Sequence, residues 1–108
     1  MGFTLEEDCR SFDTGYDFLC KLEDRHVMVE VKTFTPDGRV IVSARELKAA
    51  AQYAKHYYLV GFIDEGPEAR WESRLLIDPL PHLLEIGKFD LDVKLQANAV
   101  EVFRGLRL

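Results

Sequence analysis

The run YYLVGFI (Tyr57–Ile63) follows directly on a helical segment, and no other feature limits the fold as tightly. It is continuous, apolar, of strand length, and rich in aromatic and β-branched types. Such a run reads as a central strand buried on both faces. The residues before it, Ser43-Ala44-Arg45-Glu46, have the form of a capping box, in which hydroxyl and carboxylate satisfy the first free amides of a helix. The helix is expected to reach about His56. Leu47, Ala50, Ala51 and Ala54 then form a narrow face of small residues, suited to lying close on a sheet. A helix that feeds a buried strand implies a crossover connection, and so an α/β (α+β) fold.

The rest of the chain arranges itself around that unit. Tyr16–Leu22 alternates, with Tyr16, Phe18, Cys20 and Leu22 facing one way and Asp17, Leu19 and Lys21 the other. Glu23–Arg25 is a turn, and His26–Phe34 a second strand in a hairpin with the first. Thr35–Gly38 has Pro second and Gly fourth, a strong turn signal, and Arg39–Ser43 is a third strand. Thr4-Leu5-Glu6-Glu7 also has the form of a capping box and predicts a short helix to about Ser11. Asp64–Arg70 is a loop, Arg74–Asp78 a short strand that Pro79 ends, and Pro81–Gly87 a short helix. Lys88–Gln96 alternates with Phe89, Leu91, Val93 and Leu95 inward. Ala99–Leu106 is read as a last strand in a terminal hairpin. The expectation is one domain over residues 1–108, with an α-β-β-β-α-β core at about 14–64 and a small C-terminal α/β annex at about 74–108.

A chain of 108 residues can bury about 65% of its unfolded surface. Its net charge of -5 argues against coating nucleic acid through bulk electrostatics, though not against an enzyme whose carboxylates are offset by bound cations. No apolar run reaches the ~20 residues of a membrane helix, and the N-terminus does not resemble a signal peptide. The expected compartment is the cytosol. Cys9 and Cys20 carry no CxxC spacing, and His26, His56 and His82 are scattered, which disfavours a zinc site. Free thiols are expected over a disulfide in that compartment.

Alternate strand residues share a face, so Met28, Glu30 and Lys32 point opposite to Val27, Val29 and Val31. If the valines fill the core, Glu30 and Lys32 lie together on the other face. Asp17, on the neighbouring strand, comes within several ångströms of Glu30 if the hairpin register holds. Two carboxylates that close raise a pKa unless a cation intervenes. Mg2+ takes oxygen ligands and keeps waters, so two carboxylates and a backbone carbonyl are a typical protein share. A lysine beside them can orient water or stabilise charge on a phosphate. The plainer reading is a solvated face or a cross-strand ion pair, the commoner use of Glu-x-Lys on a strand. Glu46 can serve simply as the cap of its helix. Lys48, Gln52 and Lys55 share a helix face, either solvated or contacting phosphates. Tyr53, Tyr57 and Tyr58 read as packing residues. Trp71 lies in a polar loop, where it caps the core or marks an interface.

The segments TGYDFLC, VMVEVKTF and IVSARELKAAAQYAKHYYLVGFID resemble two nested groups. The broad one is the PD-(D/E)XK phosphodiesterase superfamily, of restriction-endonuclease-like fold. The narrower one is the domain at the C-terminus of the protein NO VEIN, found also in bacterial restriction-associated proteins. Its members look like GYD, a strand ending EVK, a strand, (S/T)xxE opening a helix, and YYLV, all present here in order over about Thr14–Leu80. The resemblance implies a mixed central sheet. It implies Asp17 and Glu30 as metal-binding carboxylates, the Val31 carbonyl as a further ligand, Lys32 as the catalytic lysine and Glu46 as an additional acid. It implies Mg2+ (or Mn2+) as cofactor and DNA as partner, with Lys48, Gln52 and Lys55 as nucleic-acid contacts, in a restriction or defence endonuclease. The family's full first helix has only Thr4 to about Ser11 to match it, so it is truncated here or supplied by another chain. That departure leaves open a non-catalytic module used for binding or assembly. A homodimer or a larger multidomain protein is the expected setting.

Overall fold

The computed structural model describes residues 2–33, 38–63, 72–89 and 94–103. In chain order the elements are β1 (Phe3–Asp8), β2 (Phe18–Leu22), β3 (Arg25–Lys32), β4 (Arg39–Val42), α1 (Ala44–Tyr53), a 3-10 turn (Ala54–His56), β5 (Tyr57–Ile63), β6 (Glu72–Ile77), α2 (Leu80–Ile86), β7 (Lys88–Phe89), β8 (Leu95–Asn98) and α3 (Ala99–Val102). A five-stranded sheet has the order β1-β2-β3-β5-β6, and a second, three-stranded sheet the order β4-β8-β7. β5 runs parallel to β3, and the other pairings are antiparallel. The crossover between β3 and β5 carries β4 and α1, so the class is mixed α+β with a mixed central sheet.

Several expectations are corrected, among them Lys88–Gln96 as one strand: its ends, Lys88–Phe89 in β7 and Leu95–Gln96 in β8, pair with each other antiparallel. Thr4–Glu7 is not a helix start: the segment is edge strand β1, paired with β2 from Phe3↔Leu22 to Asp8↔Phe18. A neighbour offering a free ladder outweighs a local cap that could have served only a helix of two turns. β1 carries a bulge between Leu5 and Glu7 and a run of acids, both of which blunt an edge. The third strand, β4, leaves the main sheet to pair with β8. Among the described residues the expected last strand is helical instead: α3 starts at Ala99, where the Asn98 side chain accepts a hydrogen bond from the Glu101 amide at 3.1 Å. Val102 and Phe103 are consequently buried. The expected residues at 34–37, 64–71, 90–93 and 104–108, among them Trp71, Leu91 and Val93, lie outside the described residues.

The two faces of the main sheet are packed differently. Cys20, Val27, Val29, Tyr58, Val60 and Leu75 form one apolar cluster, flanked by Phe3, Phe18, Leu22 and Val31. Phe3 on the edge strand meets Tyr58 of β5 edge-to-face at 5.8 Å, so the sheet curls over fully buried Val27. α1 lies on the opposite face. Ala49 and Ala50 pack there against Met28 and Tyr57, with Tyr16, Leu19, Tyr53 and Leu80 beside them. The expected small-residue face is shifted by part of a turn: Ala51 and Ala54 are exposed, and Ala49 takes their place. A third cluster joins this face to the second sheet, through Leu59, Val40, Val42, Leu83, Leu95, Ala97, Val102 and Phe103. Gly61 of β5 is required there, since a Cβ would overlap the Phe103 ring.

Candidate functional site

The loop before β2 places the first acid. Gly15 has φ +85°, and a Cβ on it would stand 2.6 Å from the Arg45 carbonyl oxygen and 2.8 Å from the Ala49 Cβ. Only glycine lets this loop take that conformation and lie directly on α1. The Tyr57 hydroxyl donates to the Gly15 carbonyl at 2.7 Å, and the Tyr16 ring packs edge-to-face on Tyr53 at 5.8 Å. Asp17 is then held by its backbone, with its amide donating to the Val29 carbonyl at 2.9 Å and its own carbonyl accepting from the Cys9 amide at 2.7 Å. The Asp17 carboxylate accepts from the Val31 amide at 2.9 Å. N–H and C=O of one strand residue point to the same edge, so the Val31 carbonyl also faces the Asp17 side, beyond the end of the β2–β3 ladder.

The turn is one residue tighter than expected: Arg25 belongs to β3 and pairs with Leu22, which leaves Glu23–Asp24 between the strands. Leu19 opposes Met28 and Phe18 opposes Val29, so Asp17 falls opposite Glu30 just past the last pair. Leu19, Met28, Glu30 and Lys32 share the face that α1 covers, so the charges are not on a solvated surface. Glu30 is 5% exposed. Lys32 Nζ stands 2.6 Å from Glu46 Oε1 and 3.6 Å from Glu30 Oε2. The capping box is complete as well. Ser43 Oγ accepts from the Glu46 amide at 3.1 Å, and Glu46 Oε1 accepts from the Ser43 amide at 2.8 Å. Glu46 thus fills both roles weighed for it, cap and member of the charged cluster.

The cluster is short of positive charge. Burial raises the Glu30 pKa well above the ordinary carboxylate range, and the neighbouring Glu46 carboxyl raises it further, while Lys32 offsets part of this. Glu46 is lowered: burial opposes ionisation there, but the hydrogen bond with Glu30, the Lys32 charge and the Ser43 amide outweigh it. The proton therefore resides on Glu30 and the negative charge on Glu46. Tyr57 is raised too, by burial first and then by the neighbouring carboxyl groups of Glu30, Glu46 and Asp17. It stays a neutral donor to Gly15.

Asp17, Glu30 and Glu46 line one polar cleft of about 180 Å³, with Arg10, Phe12, Gly15, Tyr16, Ser43 and Arg45 around it. An adjoining cleft of about 470 Å³ is lined by Asp13, Thr14, Ala44, Arg45, Lys48, Ala49 and Gln52. Lys48 and Gln52 are therefore beside the site, but Lys55 is not on their helix face. α1 ends at Tyr53, Ala54 has φ 47°, and Lys55 belongs to the 3-10 turn. Arg10, Phe12 and Arg45 escaped the sequence reading, because no spacing rule links the loop before β2 to the first turn of α1. Tyr57 was read as packing, and its hydroxyl bond to Gly15 leaves no trace in the sequence.

Among the described residues, no three His, Cys, Asp or Glu side chains already stand in metal-ligating geometry. The donor chemistry nonetheless fits a hard divalent cation. Such ions take one or two carboxylates and keep several waters. Asp17 and Glu30 line one cleft beside the edge that the Val31 carbonyl faces. The raised Glu30 marks a buried acid whose ionised form lacks a full counter-charge.

The family described as the C-terminal domain of protein NO VEIN matches residues 2–72, and the chain belongs to it. No curated protein matches the chain.

Proposed function

We propose that this member of the NO VEIN C-terminal family is a metal-dependent phosphodiesterase, a DNA endonuclase domain of a restriction or defence system with the PD-(D/E)XK site plan. The observation that supports it is the charge imbalance under α1. A structural ion pair balances its charges. Here three carboxylates, Asp17, Glu30 and Glu46, line one cleft; Lys32 contacts Glu30 and Glu46, and the two guanidinium groups of the lining are each engaged by a further carboxylate, Arg10 by Asp8 and Arg45 by Asp13. Asp17, Glu30 and the Val31 carbonyl would hold Mg2+ or Mn2+. When bound, that ion supplies positive charge for the transition state and acidifies an attacking water. Lys32, steered by Glu46, orients the water or meets the charge that develops on the phosphate oxygens. The water oxygen forms the new P–O bond in line with the one that breaks, in a cleft lined by the first turn of α1 and the loop before β2.

The test is calorimetric titration of Mn2+ into wild type and Glu30→Ala, paired with cleavage of varied DNA. Wild type should bind the ion and Glu30→Ala should not. Glu30→Ala and Lys32→Ala should each lose at least ~100-fold in cleavage. Full cleavage by either variant would sink the reading. A second reading rests on the 2.6 Å Lys32–Glu46 contact and the complete capping box, which together resemble a structural tie between α1 and β3. On that reading the domain is a non-catalytic binding module, and neither protein takes up Mn2+.

A further inference from the structure

We propose that Phe12, which lines the carboxylate cleft together with Arg10 and Arg45, is a stacking platform for an unpaired nucleotide, so that the strand taken is single-stranded or locally unpaired. This rests on the phosphodiesterase reading and names its substrate class. A lone exposed aromatic carries no meaning by itself. Phe12, 57% exposed, is different because it lines the same cleft as Asp17, Glu30 and Glu46. Its turn is anchored. The Phe12 amide donates to the Cys9 carbonyl at 2.9 Å, and buried Cys9 donates in turn to the Asp17 carbonyl. The ring is thus displayed by a hydrogen-bonded turn whose anchor is the candidate metal-binding aspartate.

Two guanidinium groups line the same cleft. Arg10 forks onto the Asp8 carboxylate, with contacts of 2.7 to 3.2 Å, and lies 5.3 Å from the Phe18 ring centroid. Arg45 bonds Asp13 at 2.7 Å. A guanidinium has five donors, so one carboxylate orients it without exhausting it. From Arg45 the adjoining cleft continues past Lys48 to Gln52, which gives a strand backbone a path away from the carboxylates. The net charge of -5 offers no bulk attraction, so affinity has to come from specific contacts. Base–aromatic stacking strengthens binding by roughly 5- to 150-fold per base and needs an exposed base face, which a paired duplex does not present.

The test uses a DNA single strand carrying 2-aminopurine, and the matching duplex, titrated with wild type and Phe12→Ala in Ca2+. Wild type should quench the 2-aminopurine and bind the single strand more tightly than the duplex. Phe12→Ala, an exposed change, should lose the quench and about tenfold in single-strand affinity, while Phe12→Trp keeps both. Equal quench and affinity in Phe12→Ala, or a wild-type preference for duplex, would overturn the proposal. Cleavage of the same strand in Mn2+ separates it from the reading beneath it. Quenching without cleavage removes the hydrolytic reading and leaves the stacking site standing. Cleavage that Phe12→Ala performs as well as wild type removes the stacking site alone. Failure of wild type to bind either form removes both.

Discussion

Strand β3 has two faces, and both are buried. Val27 and Val29 on one side pack into an apolar cluster that asks nothing of its neighbours but shape. Met28, Glu30 and Lys32 on the other side lie under α1, where each charge depends on a specific partner. The apolar face gains stability from area alone, and its residues are interchangeable within limits of volume. The charged face is a linked set, in which removing one member strands the others. Substituting Lys32 should therefore have the largest effect. Lys32→Met keeps the stem and deletes the ammonium that stands beside Glu30 and Glu46. A loss of about 3 kcal/mol at pH 8 is expected. The loss should shrink toward pH 5, where Glu46, deprived of its ammonium, takes up a proton instead. Urea unfolding at both pH values measures this. An equal loss at both would show that Lys32 contributes packing rather than charge, and the contrast between the faces would fail.

Gly15 lets the loop that carries Asp17 lie directly on the helical cover of the charged face. Gly15→Ala places a methyl group against the Arg45 carbonyl and Ala49 at a φ of +85°. A cost of ~2 kcal/mol is expected from the backbone strain and the forced shift of the loop. Because that loop carries Asp17, Mn2+ affinity should fall as well. A valine-face control, Val27→Ala, should lower stability without changing Mn2+ affinity. If both variants lowered metal affinity alike, the site would be responding to global stability, and the separation of the two faces would be lost.

Much of this was legible because β3 obeys a period of two and α1 announces its own start. Ser43 and Glu46 predict the cap in full, but the Asp17–Glu30 juxtaposition needs the two-residue turn Glu23–Asp24, since a turn over Glu23–Arg25 would set Asp17 opposite Val31. What was illegible depends on partners distant in sequence. Thr4–Glu7 satisfies a helix-start pattern and an edge-strand pattern equally, and only the free edge of β2 decides between them. β4 alternates well enough for any sheet, and its departure to β8 depends on the third apolar cluster. Ala99–Val102 alternates like a strand, yet Asn98 caps it as a helix, burying Val102 and Phe103. The site was legible as a list of charges but not as an environment. Nothing in the spelling EVK says that the face is covered, and nothing in GYD says that Tyr57 holds its glycine.

The smallest effect should be the most informative, because its sign is unusual. Glu30→Gln removes a carboxyl from the buried face while keeping its shape. The Glu30 pKa is raised in the folded protein to about 9, against an ordinary carboxyl near 4.5 in the unfolded chain. Below the lower value both states carry the proton, and the group does not affect stability. As pH rises between the two values, the unfolded chain releases a proton that the folded protein retains, so stability falls. Glu30→Gln abolishes that slope. The variant should equal wild type near pH 4 and exceed it by ~1 kcal/mol at pH 8, which raises Tm by roughly 4–8 °C for a domain of this size. The same substitution should eliminate Mn2+ uptake, so a residue that costs stability when the cleft is empty would be the one that binds the ion. Added Mn2+ should then stabilise wild type and leave Glu30→Gln unmoved. A variant less stable than wild type at pH 8 would mean that Glu30 is a net structural tie, and the charged face would be an ordinary buried ion pair after all.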